Sequence, residues 1–260
     1  MNYLEKHRCE IFKKYDNEEL IKDINSFKSG SGNLNKTLNH FFEECMWDCC
    51  GKKTKISPSE ALCDDDLVDK ILKYIDSKPK FFTGNEVSNI KSYMRNSASW
   101  VRKVANFPIK EARNIYNRYN IDGKVLNCLD TSSGFGSRMS AVLLSGHNYC
   151  GFDPNKSLNK KLKEYLAFLK SNEIISNNQK CGLYCCGSEV YKEELLNSFD
   201  VSFTSPPYFN LEKYSEDSSN STSNYNNYKF WVDEFVKPTV EKTVKYLKIG
   251  GYPMIDIKNI

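Results

Sequence analysis

The chain has 260 residues, enough for one substantial domain with a smaller attachment. Hydrophobic residues make up 40% and aromatics 13%, which suffices for a core, and the formal net charge of +4 fits a polyanionic partner without demanding one. No apolar run approaches the roughly 20 residues that span a bilayer, and Met1-Asn2-Tyr3-Leu4-Glu5-Lys6 opens no signal-peptide stretch, so the expectation is a soluble cytoplasmic protein with no membrane partner.

From the N-terminus to about residue 120 the signals are helical. Ser57-Pro58-Ser59-Glu60 is a capping box with proline at the first helical position, and Leu67, Val68, Ile71, Leu72 and Ile75 follow at helical spacing. Thr83-Gly84-Asn85-Glu86 offers a second capping box before Val87, Ile90 and Met94. Pro108 opens another helix, with Ile109, Ala112, Ile115, Tyr116 and Tyr119 on one side. His40, Cys45, Cys49, Cys50 and Cys63 lack the paired spacing of common zinc modules, so no metal is expected. The ten cysteines read as reduced thiols, several of them buried in strands.

After Gly123 the pattern changes to short apolar runs separated by helical stretches. Strands are predicted at 124–130, 148–153, 179–186, 200–204 and 252–257, all buried, with helices at 137–145, 157–171, 189–197 and 229–247. Strands alternating with helices predict a doubly wound α/β domain around a parallel sheet. Residues 213–228 form a polar low-complexity stretch that reads as a surface loop or a lid.

Three segments carry chemistry. Asp130-Thr131-Ser132-Ser133-Gly134-Phe135-Gly136 ends the first strand, and its glycines permit a tight turn and close backbone approach to a ligand. Asp153, after Gly151-Phe152 and before Pro154, stands at the tip of the second strand, where a carboxylate can accept hydrogen bonds from ribose hydroxyls or cap the next helix. Ser205-Pro206-Pro207-Tyr208 ends the fourth strand. Its two prolines stiffen the backbone and remove two amide donors, leaving carbonyls free to accept from an amino group, and the tyrosine can stack on a planar base.

These segments, in this order, resemble the cofactor and catalytic motifs of amino-group DNA methyltransferases. Thr204-Ser205-Pro206-Pro207-Tyr208 is most similar to the N4-cytosine branch, since N6-adenine enzymes more often carry Asp or Asn in place of Ser205. The resemblance covers roughly 100–260 and implies a Rossmann-like fold that uses S-adenosyl-L-methionine. It implies that Asp130, Thr131, Ser132, Gly134, Phe135 and Gly136 hold the amino-acid part of that cofactor. Asp153 would bind the ribose, with Phe152 or Pro154 beside the adenine and Ser188 or Glu189 on its amino group. Val104-Ala105-Asn106-Phe107-Pro108 resembles the segment that packs against the methionine end, so Phe107 joins the cofactor set. Ser205, Pro206, Pro207 and Tyr208 would be catalytic, acting on a base flipped out of DNA, as in restriction–modification or bacteriophage enzymes.

The implied organisation is a helical region over 1–99, for DNA contact or oligomerisation, and a methyltransferase domain over 100–260. That domain would stop two strands short of the usual sheet, leaving an edge that invites self-association. DNA is the expected partner, through Arg95, Arg102, Lys103, Lys110, Arg113 and Arg118 or through Lys156, Lys160, Lys161 and Lys163. The rival readings are adenine N6, an RNA base or a glutamine as methyl acceptor, or a silent protein that binds the cofactor or DNA.

Overall fold

Five parallel strands, β1 (Asn127–Asp130), β2 (Asn148–Phe152), β3 (Cys181–Tyr184), β4 (Phe199–Thr204) and β5 (Leu247–Ile255), lie side by side in the order β3-β2-β1-β4-β5. Leu129 sits opposite Cys150 on one side and Ser202 on the other. The order reverses between β1 and β4, and at that switch point the chain departs in opposite directions and leaves a crevice beyond the strand ends. This is the predicted doubly wound, Rossmann-like sheet, seen in a computed structural model that describes residues 1–51, 56–96, 100–120, 122–209, 214, 225 and 227–256.

The first four strands fall within a few residues of the predicted ones. β5 departs from expectation in both length and burial. It starts at Leu247, and most of its residues face outward, with Ile249 fully exposed. Among the described residues no strand pairs with its outer side, so its apolar residues have nothing to pack against there.

The predicted helix at 189–197 reduces to a single 3-10 turn, Glu193–Leu195. Only Leu195 of that segment's apolar residues is buried, while Val190, Tyr191 and Leu196 stay exposed; a stripe that narrow cannot hold a helix against the sheet. The helix predicted at 229–247 is interrupted. A π-helical turn, Val232–Val236, separates two α-helical pieces, Tyr228–Trp231 and Lys237–Tyr246. Pro238 follows directly, and its missing N–H and bulky ring exclude the regular bond to residue 234.

Upstream, among the described residues, seven helices precede the sheet: α1 (Tyr3–Ile11), α2 (Asn17–Lys28), α3 (Asn35–Trp47), α4 (Pro58–Cys63), α5 (Asp65–Asp76), α6 (Glu86–Arg95) and α7 (Ile109–Tyr119). The Ser57 capping box is present as predicted, but the helix it opens ends at Cys63. Asp64 turns extended and caps a second helix through Leu67 N–H. At the other predicted box the cap is Asn85, not Thr83, because its Oδ1 reaches the Ser88 N–H at 2.9 Å.

These helices are not one separate body. Leu4, Trp47, Ile71, Ile90 and Tyr93 belong to a core of their own. Ile24, Phe27, Phe42 and Met46 instead share a core with Cys128, Met139, Leu162 and Val201 of the sheet domain. The link runs from α3 to the helices after β1 and β2, α8 (Ser137–Leu143) and α9 (Lys156–Ser171); Phe41 and Phe42 pack on Tyr165 of α9, with ring centroids 5.1 and 5.7 Å away.

Candidate active site

The chain leaves β1 through a buried ion pair. Asp130 has no exposed surface; its carboxylate accepts from Arg138 Nε at 2.9 Å, Arg138 Nη2 at 3.3 Å, the Tyr149 hydroxyl at 3.0 Å and the Ser132 N–H at 3.2 Å. Arg138 also donates to the Ser132 carbonyl, so one guanidinium ties strand end, loop and helix together. The paired carboxylate holds Arg138 firmly charged despite its burial. Gly134 and Gly136 take positive φ values of 55° and 75°, which the loop needs in order to double back into α8. A Cβ on Gly136 would lie 2.4 Å from the Phe42 ring of α3. The loop is held from upstream as well: Asn106 Nδ2 donates to the Phe135 carbonyl at 2.8 Å, and Ser137 Oγ donates to the Phe107 carbonyl.

At the end of β2, Asp153 accepts from two backbone groups, Gly134 N–H at 3.1 Å and Asn155 N–H at 3.0 Å. Burial pushes its carboxyl up to about 6, and those two amide donors oppose the shift. The cap of α9 is Asn155, through Leu158 N–H, which leaves Asp153 free of that duty. Phe152 points the other way, into the core, where it stacks on Tyr184 with centroids 4.9 Å apart. Beyond β3, Ser188 is buried and shares a 3.0 Å hydrogen bond with Thr239. Glu189 beside it has one carboxylate oxygen, Oε2, that is buried without a hydrogen-bond partner among the described residues.

Ser205-Pro206-Pro207-Tyr208 follows β4 directly, and the end of β5 stands next to it. The Asp256 N–H donates to the Thr204 carbonyl at 2.9 Å, which continues the strand pairing one step past Ile255. Ser205 Oγ lies 3.4 Å from Asp256 Oδ2 and 3.4 Å from the Tyr208 hydroxyl, and that hydroxyl is 3.4 Å from the Asp256 carbonyl. Phe209 packs on Tyr228 and Trp231 with centroids 5.8 and 5.9 Å away.

One cavity of about 500 Å³ joins these strand ends. Thr131, Ser132, Gly134 and Phe135 line one wall, with Phe107 beside them; Asp153 and Ser188 line the next, and Ser205, Pro206, Pro207 and Tyr208 close the far side. Three expected residues stand outside this lining. Asp130 and Phe152 are turned into the core, and Gly136 backs against Phe42. Asp130 therefore has a different task from the ligand contact implied by the resemblance: with its oxygens already engaged, it anchors Arg138 and the loop. Arg138, Glu189 and Asp256 also line the cavity. The sequence offers Glu189 together with Ser188, whereas no local motif marks Arg138 or Asp256.

The candidate phosphate contacts divide in the same way. Lys103, with Lys91, pairs with the buried Glu43, and Arg113 donates to the Phe27 carbonyl at 2.7 Å, so these cations serve the fold. Lys161 pairs with Glu164, whereas Arg95, Arg118, Lys156, Lys160 and Lys163 are exposed. Among the described residues no three His, Cys, Asp or Glu side chains cluster as metal ligands. His40 instead accepts from the Tyr15 N–H, and Cys49 donates to the Cys45 carbonyl. No described helix is long and apolar enough to cross a membrane.

No protein-family model and no curated protein matches the chain. Among solved structures it is similar to a SAM-dependent methyltransferase from Agrobacterium tumefaciens, at 14% identity and a TM-score of 0.42, over 64% of this chain and 50% of that one. It is also similar to the 1,6-didemethyltoxoflavin-N1-methyltransferase of Burkholderia thailandensis, solved with its substrate and S-adenosylhomocysteine, at 13% identity and a TM-score of 0.35. That match covers 74% of this chain and 64% of the other. The chain thus spans half of the first protein's length and under two thirds of the second's.

Proposed function

We propose that this chain is an S-adenosylmethionine-dependent methyltransferase that acts on the exocyclic amino group of a base in DNA, with cytosine N4 as the favoured acceptor. The observation that carries this reading is the single cavity walled by the glycine loop, Asp153 and the Ser205–Tyr208 loop. Its polar residues suit such a cofactor: Thr131 and Glu189 line the cavity, and the Thr131 hydroxyl and Glu189 Oε2 are buried without a partner among the described residues. Two buried polar atoms left unpaired on residues that line one cavity argue for a ligand that pairs them.

When bound, the cofactor supplies an electrophilic methyl group on sulfur. The protein's part is to hold the acceptor nitrogen in line and to take up its proton. Asp153 is suited to accept from the ribose hydroxyls, and Glu189 or Ser188 from the adenine amino group. Ser205 Oγ and the Pro206 carbonyl accept hydrogen bonds from the target amino group, and the proton released on transfer passes through Ser205 Oγ to the Asp256 carboxylate. The Asp256 carboxylate beside Ser205 Oγ lets that hydroxyl donate away from the site while its lone pairs face the base. Tyr208 stacks on the base once it is out of the helix, an extrusion that costs a few kcal/mol in duplex DNA. No cysteine occupies the loop, so the transfer is direct to nitrogen, without the thiolate adduct that a carbon-5 reaction uses. The exposed Lys156, Lys160 and Lys163 are the candidate phosphate contacts.

The test is incubation with methyl-labelled cofactor and unmodified DNA, followed by mass spectrometry of the nucleosides. N4-methylcytosine is the expected product. N6-methyladenine would move the acceptor to the rival base, and unlabelled DNA alongside measurable cofactor binding would overturn the enzymatic reading.

A further inference from the structure

Arg138 is the only cation among the described residues that line the cavity; Asp153, Glu189 and Asp256 are its acidic side chains. A guanidinium offers five N–H donors in a fixed plane. Nε donates to Asp130, and Nη2 donates to Asp130 and to the Ser132 carbonyl. Nη1 makes no hydrogen bond to any described residue. The side chain is nearly sealed from bulk water, at 6% exposure, and its guanidinium carbon stands 5.8 Å from the centre of the Phe107 ring, another cavity wall. Asp130 thus fixes one edge of the fork, the other edge makes no bond to a described residue, and Arg138 is itself part of the cavity wall.

We infer that the Nη1 edge of Arg138 receives a ligand carboxylate, namely the amino-acid carboxylate of the cofactor. This rests on the cofactor reading above. Within that cavity a carboxylate has three like charges to avoid and one cation to meet. A guanidinium held in plane by Asp130 presents its second edge without further ordering, which favours a charge-assisted pair. Lysine could not serve both sides, because one ammonium cannot span Asp130, Ser132 and a ligand with the same geometry.

The test is calorimetry with two ligands, S-adenosylhomocysteine and 5′-methylthioadenosine, which share the nucleoside but differ in the amino-acid part. The wild-type chain is expected to prefer S-adenosylhomocysteine by about tenfold or more, the worth of a charged hydrogen bond. In Arg138→Lys, and in the neutral double variant Asp130→Asn with Arg138→Gln, the ratio of the two affinities should shrink to under about threefold, whatever loss the loosened loop imposes on both ligands alike. Equal losses for both ligands, or an unchanged preference, would overturn the inference. A ligand-side measurement needs no variant: the decarboxylated analogue of S-adenosylhomocysteine should bind the wild type about tenfold more weakly, and equal binding also overturns it. If the wild type binds neither nucleoside ligand, the cofactor reading itself fails, and this inference with it.

Discussion

At the β1–β2 end of the cavity, Asp130, Arg138 and Asp153 are tied to their neighbours by hydrogen bonds of 2.9–3.3 Å, whereas at the β4–β5 end Ser205, Tyr208 and Asp256 meet at 3.4 Å. The first end is built into the core: its ion pair is buried, and its loop is pinned by Asn106 and Phe42. The second end lies beside β5, whose outer side pairs with no other strand among the described residues, and two prolines stiffen its loop. On the function proposed above, the difference separates two ligands: the cofactor would meet a preformed cradle, while the base would complete a looser set of contacts, as catalytic hydrogen bonds commonly tighten only with the substrate in place.

This contrast can be broken most severely at Asp130. Asp130→Ala leaves the Arg138 guanidinium buried without its counter-charge and should cost about 3–5 kcal/mol in urea unfolding. Asp256→Ala, at the loose end, should cost less than about 1 kcal/mol; similar losses would erase the distinction. Tyr208→Ala comes next. Methyl transfer should fall about 10- to 100-fold, the loss of a stacking contact, while S-adenosylhomocysteine affinity stays within about twofold in calorimetry. A parallel loss of affinity would mean that the loop serves both ligands.

Smaller is Asp256→Asn, expected to slow transfer about tenfold by weakening the charged acceptor for Ser205, with the nucleoside product unchanged by mass spectrometry. Smallest is a pH effect at Asp153. Its carboxyl stands at about 6 when folded, against about 3.9 when unfolded. Between those values the folded chain holds a proton that the unfolded chain lacks, so this group's contribution to stability rises as pH falls from 7 toward 4. The carboxylate acceptor is lost over the same window. S-adenosylhomocysteine affinity should therefore drop several-fold from pH 7.5 to 5, and Asp153→Asn should flatten both trends.

What was legible in the sequence lay where one residue type has few reasons to be present. Two glycines after a strand, an acid at a strand tip and a double proline each announce backbone behaviour directly, and Gly134, Asp153 and Ser205–Tyr208 do share one cavity. Arg138 was invisible because it is one basic residue in a short helix, and its partner is a strand residue that looks like a ligand contact. Asp130 and Phe152 misled for a related reason: a strand end carries side chains on alternating faces, and spacing alone does not say which face a residue takes. The apolar residues of β5 suggested burial, but burial depends on a neighbour that the local pattern cannot report. The short turn at 193–195 and the π-turn before Pro238 likewise follow from packing and from one missing N–H, not from periodicity.

The contact between Phe42 and Gly136 makes the N-terminal helices mechanically part of the glycine loop. The loop cannot swing away from the sheet without sliding along a ring that is itself wedged between α3 and α9. Anything that stiffens the loop therefore also holds α3 in place. Slow amide exchange along 35–47 becomes a gauge of what occupies the neighbouring cavity.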